Sequence, residues 1–120
     1  MATIDARRGE VYAAAWSAAG EPLWEPLVCP PEQLAERLAA IAEPAICGGS
    51  GAIRFGQQLA SRGVEIPDDA EPVHRVAARH ICALAAAGAG EDESAPVAPI
   101  YLRPPDAQRW RERDSLQEPE

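Results

Sequence analysis

Asp5-Ala6-Arg7-Arg8-Gly9-Glu10-Val11-Tyr12 is the stretch on which the reading of this 120-residue chain turns. An apolar entry at Ile4 precedes it, and the alternating run from Val11 to Trp16 follows it. Gly9 can take the left-handed conformation that a tight corner or bulge needs. Asp5 and Glu10 bracket two arginines, so the turn can close on charge-assisted hydrogen bonds. Residue chemistry alone reads it as a well-knit β-turn at the start of a sheet.

Working outward, residues 10–17 alternate, with Val11, Ala13 and Ala15 on one face and Tyr12, Ala14 and Trp16 on the other. Ala18-Ala19-Gly20-Glu21 reads as a hairpin turn, and residues 23–28 return as a second strand. Pro26 removes a ladder donor, which places that strand at an edge or at a bulge. Cys29-Pro30-Pro31-Glu32 opens a helix, with proline in the first turn and an acid near its positive end. Leu34, Leu38 and Ile41 repeat at helical spacing until Pro44. Ala45-Ile46-Cys47 is a short apolar strand running into Gly48-Gly49-Ser50-Gly51. A second helix is expected from about residue 52 to Ser61, with Ile53, Leu59 and Ala60 inside, and Val64 to Pro67 as an extended piece. Asp68, Asp69 and Glu71 lead into a third helix with Val73, Val76, Ala77, Ile81, Leu84 and Ala85 on one stripe. A loop at 88–96, an extended run from Val97 to Arg103 and a charged tail at 104–120 complete the chain. Strands interleaved with helices give an α/β layer architecture in a single domain, residues 1–103.

Composition narrows the function. The formal net charge is -8, which makes the chain a poor stand-alone binder of nucleic acid. No apolar run reaches the roughly 20 residues of a membrane span, and no charged-then-apolar leader opens the sequence. Three scattered cysteines, Cys29, Cys47 and Cys82, fit reduced thiols in a cytoplasm.

Four groups invite chemistry. Gly48-Gly49-Ser50-Gly51, between a strand and a helix, is where backbone amides could meet a phosphate or an adenosine. It lacks the Lys-Ser/Thr of a P-loop and the spacing of a dinucleotide fingerprint, and a strand-to-helix turn needing glycine for backbone freedom is the favoured reading. His74, His80 and Cys82 share the expected third helix, but His80 lies roughly 120° around from His74, and the three do not converge on a metal. Cys47, beside a glycine turn, is the one candidate for a thiol nucleophile, without a nucleophile motif around it. Arg103, Arg109, Arg111 and Arg113 alternate with acids as a solvated mixed-charge face.

Asp5 to Tyr12 near one end and Pro99-Ile100-Tyr101-Leu102-Arg103 near the other, with the glycine turn at Gly48 between them, resemble the C-terminal half of the TsaB (YeaZ) family. That family is the non-catalytic subunit of the bacterial machinery making N6-threonylcarbamoyladenosine in tRNA. The resemblance implies a single RNase H-like lobe of the actin-like (ASKHA) architecture, with a small mixed sheet and flanking helices. It implies no catalytic residues, no metal and no cofactor. Asp5, Arg7, Gly9, Glu10 and Tyr12 would then hold a turn at the start of the sheet. Tyr101, Leu102 and Arg103 would anchor the last extended segment. Gly48, Gly49, Ser50 and Gly51 would be a vestigial nucleotide loop.

The implied partners are a TsaD-type catalytic subunit and a TsaE-type ATPase, with tRNA met only indirectly, in the cytoplasm and away from membranes. A family member opens with a complete first lobe that supplies most of the pairing surface, and this sequence does not carry one. A lone lobe is expected to expose the surface that lobe would cover and to self-associate. The alternative from another class is a nucleotide-binding phosphotransferase half-domain using the Gly48–Gly51 turn.

Overall fold

The strand at the centre of the sheet is Ala2–Asp5 (β1), which the sequence pattern presents as a mere entry to the turn. In the computed structural model, which describes residues 1–60, 63–88 and 96–105, β1 pairs antiparallel with β2 (Val11–Trp16), Ile4 facing Tyr12 and Asp5 facing Val11. β2 pairs antiparallel with β3 (Pro22–Cys29) through the Ser17–Glu21 turn, where Gly20 takes φ +84°. The register slips beside Ala14, and β3 lies at the edge, as Pro26 requires.

On its other side β1 meets the segment after β4 (Ala45–Ile46). The Met1 ammonium donates to the Ile46 carbonyl at 2.8 Å, Gly48 N–H to Met1 at 3.1 Å, and Thr3 N–H to Gly48 at 2.8 Å. β4 pairs in parallel with β5 (Val64–Glu65), Ala45 facing Val64. These bonds join the three-stranded antiparallel sheet and the two-stranded parallel one in the order β3-β2-β1-β4-β5.

Two helices cover one face. α1 (Pro31–Ala39) begins on a proline with Glu32 in its first turn and buries Leu34, Ala35 and Leu38. α2 (Ser50–Ala60) buries Gly51, Ala52, Phe55 and Leu59, and kinks at Phe55. Its inner face therefore differs from the expected one: Leu59 is inside, but Ile53 is 42% exposed and Ala60 is exposed. The helix starts at Ser50, two residues earlier than expected, and its buried face is Gly51, Ala52, Phe55 and Leu59, spaced at helical intervals. Val11, Ala13, Cys29, Cys47 and Val64 complete a core of mostly small side chains.

The third helix differs more. Pro72–His74 form a single 3₁₀ turn, Arg75 and Ala77 are extended, and α3 occupies only Ala78–Ala86. Pro72 starts the short turn, and His74 is tied at both ring nitrogens, so Val73 and Val76 never join the helical stripe. No residue of α3 is buried; Ile81 and Leu84 are 59% and 60% exposed. On the far face of the sheet Ile4 and Trp16 are about half exposed.

The expected extended run from Val97 to Arg103 forms no strand, and Pro96 to Tyr101 are exposed. Ser61, most of the 88–96 loop, and the tail from residue 106 with Arg109, Arg111 and Arg113 lie outside the described residues. No helix among the described residues is long and apolar enough to cross a membrane.

Candidate functional site

The two end motifs meet in space. In the turn, Ala6 N–H donates to the Glu10 carbonyl and Glu10 N–H to the Arg7 carbonyl, each at 3.0 Å. Arg7, Arg8 and Gly9 all take left-handed φ values of 64°, 55° and 76°, so two arginines share a conformation expected of Gly9 alone. Asp5 supports them: its Oδ1 accepts Arg7 N–H at 2.9 Å. Its Oδ2 accepts from Arg54 at 3.1 Å, and its own N–H donates to Ser50 Oγ at 3.0 Å. The Arg7 N–H bond, with the Arg54 charge behind it, holds the Asp5 carboxyl below its ordinary range. The stability it contributes is present above the ordinary carboxylate range and is lost as pH falls through the lowered value.

Arg103 arrives from the other end of the chain. It donates to Glu10 Oε2 at 2.7 Å and to the Ala6 carbonyl at 2.8 Å, and lies over the Tyr12 ring at 5.8 Å. Its side chain is 14% exposed and that of Glu10 is 27% exposed, so the pair is sheltered from water. Leu102 is half-buried beside it, whereas Tyr101 is 80% exposed. Of the expected anchors, Arg103 is the one whose side chain reaches a carboxylate and a carbonyl of the turn.

The glycine turn is packed from below. Gly49, at φ +107°, lies against the Thr3 backbone, where a Cβ would collide with the Thr3 carbonyl. A Cβ on Gly51 would come within 2.6 Å of Val11 Cγ2, and one on Gly48 within 2.8 Å of the Val73 carbonyl. Its amides are engaged as well. Gly48 N–H bonds Met1, and Gly49 N–H donates to His74 Nδ1 at 3.2 Å. Its other ring nitrogen, Nε2, donates to the Pro67 carbonyl at 2.9 Å. Close approach of Val73 to Gly48, of β1 to Gly49, and of Val11 and Thr3 to Gly51 accounts for these glycines, and the Gly48 and Gly49 amides are directed into the protein.

Thr3 Oγ1 donates to the Gly48 carbonyl at 3.0 Å and lies 3.7 Å from Cys47 Sγ. Cys47 is fully buried, and burial pushes its thiol up; Cys29 is raised for the same reason. Neither has the exposed, electropositive setting of a nucleophile, which overturns Cys47 as a candidate. At neutral pH iodoacetamide is expected to label the exposed Cys82 at least about tenfold faster than Cys29 or Cys47. Peptide mapping of a time course checks this; comparable labelling of Cys47 would restore the thiol reading. The folded chain holds the two buried protons more tightly than the unfolded one. The stability this contributes is present below the ordinary thiol range and is lost as pH rises from there through the raised values.

His74, His80 and Cys82 do not share one helix; only the last two lie on α3. Among the described residues no group of three His, Cys, Asp or Glu is placed to hold a metal. Sequence reasoning missed Thr3, Arg54 and the His74 clamp. A β-branched residue alternating with Ile4 signals Thr3, while Arg54 and His74 carry no local signal, because their partners lie 49 and 25 residues away.

No model of a known protein family matches the chain, and no curated protein sequence matches it.

Proposed function

We propose that the chain is a non-catalytic scaffold or activator lobe in tRNA N6-threonylcarbamoyladenosine synthesis, built as one RNase H-like lobe of the actin-like class. The observation that carries the reading is the contact between its two motifs. Glu10 and Arg103 are 93 residues apart, belong to the two stretches on which the resemblance rests, and form one sheltered ion pair. The alternation β1-β2-β3-α1-β4-α2-β5-α3 is in keeping with such a lobe. So is the glycine turn, two of whose amides, those of Gly48 and Gly49, are already engaged within the chain.

In this reading the chain works in the cytoplasm with a TsaD-type catalytic subunit and a TsaE-type ATPase, and its acidic charge leaves tRNA contact to them. The test is the threonylcarbamoyladenosine content of tRNA in bacteria depleted of their own TsaB. The chain is supplied alone and, separately, fused behind a family first lobe. Restoration by the fusion is the expected result. Failure of both, with the protein folded and abundant, would refute the assignment.

A further inference from the structure

We infer that α3 is an order–disorder element, melting and re-forming on its own while the rest of the fold stays intact. The inference stands apart from the proposed function, since it rests on the helix alone. An isolated helix shorter than about 12–15 residues is marginal in water and draws its stability from packing. α3 has nine residues, Ala78–Ala86, and every one of them is exposed, Ile81 and Leu84 included. α1 is also nine residues long, but it buries Leu34, Ala35 and Leu38. Equal lengths hide opposite support.

The N-terminal end of α3 adds nothing to hold it. Ala77 stands at the N-cap with φ -129° and ψ 126°, the extended conformation a cap takes, but its methyl group accepts no hydrogen bond. The first turn carries no acid and holds Arg79 instead, a positive charge near the positive end of the helix dipole. At the other end Gly88 takes φ +75° and its N–H donates to the Ala85 carbonyl at 3.0 Å, so the C-terminus is closed. Ala78, Ala83, Ala85 and Ala86 are strong helix formers and keep the helical form populated. The boundary before the helix is sharp. His74 is bonded to Gly49 and Pro67, and beyond it Arg75 and Ala77 are extended, so α3 opens without pulling on the glycine turn. In the helical form Ile81 and Leu84 share one face, and in the open form that face is dissolved. The element therefore presents or withdraws an apolar face without disturbing the core.

Hydrogen exchange of the full chain, read amide by amide by NMR, tests this. The amides of Cys82 to Ala86 are expected to be protected less than about tenfold, against at least about a thousandfold for β2 and α1. Ala77→Asp supplies the missing cap. It is expected to raise protection at Cys82 to Ala86 about fivefold, with the urea midpoint of the core, read by tryptophan fluorescence, unchanged. Ala83→Gly is expected to abolish what protection there is, again with an unchanged midpoint. Protection of α3 within about tenfold of that of α1 overturns the inference. So does a shift of the core midpoint in either variant, or unchanged exchange in Ala77→Asp.

Discussion

Gly49→Ala is expected to lose roughly 3 kcal/mol or more of folding stability. Two penalties combine at this position. At φ +107° the backbone lies beyond the small left-handed region that other residues visit, and an L side chain there is strained by about 1–3 kcal/mol. The new methyl group would also collide with the Thr3 carbonyl, which belongs to the central strand and cannot swing aside. Moving β1 away would stretch the Thr3 N–H bond to Gly48 and the Thr3 hydroxyl bond to the same carbonyl. Against a typical total of about 5–15 kcal/mol this removes much of the folded population at moderate temperature. Urea denaturation read by circular dichroism measures it, with Gly63→Ala as control. Gly63 is also left-handed, at φ +77°, but a Cβ there meets nothing within 4 Å, so its cost should be near 1 kcal/mol. Equal costs at the two positions would mean that the turn does not press on β1.

Leu34→Ala is expected to cost about 3 kcal/mol. Leu34 is wholly buried on α1, in a core cluster that includes Ala13, Ala35 and Ala52 among its members. Alanines have no rotamers with which to fill a void, so the cavity should stay near its full size and the cost should sit in the middle of the Leu→Ala range or above. Ile53→Ala, on the exposed side of α2, should cost less than about 1 kcal/mol. Denaturant midpoints for the two variants make the comparison. A Leu34→Ala cost as small as that of Ile53→Ala would place the core elsewhere.

The parts of the fold that the sequence makes legible are those with local causes. The alternation of Val11 to Trp16, the turn before Glu21, Pro26 at an edge and the proline start of α1 each follow from a few neighbouring residues. β1 is hidden for the opposite reason. Four residues give too short a pattern, and what makes them the central strand is pairing on both sides, one partner lying past residue 45. The stripe from Val73 to Ala85 misleads because periodicity reports a face without reporting whether anything covers it. His74 holds its backbone out of the helix through Gly49 and Pro67, and the remaining helix buries nothing.

The site shows the same division. Asp5, Arg7, Gly9 and Glu10 are readable as a turn, because their bonds close within a few residues. Arg103 on Glu10 is not derivable from spacing, since it joins positions 93 apart; only the resemblance sets the two stretches side by side. The glycine turn admits two explanations until β1 is located beneath it. Gly48 and Gly49 answer to the carbonyls of Val73 and Thr3, and Gly51 to the side chains of Val11 and Thr3, causes absent from the surrounding sequence.

The two-sided pairing of β1 also orders events in time. Its bonds to β2 span one short turn, and hairpins of that kind close in roughly 1–10 μs. Its bonds to Gly48 close a loop of about 45 residues, and the entropy of that closure comes before any contact rewards it. The return of a mid-sequence turn to the first strand is therefore expected to follow closure of the β1–β2 hairpin in folding.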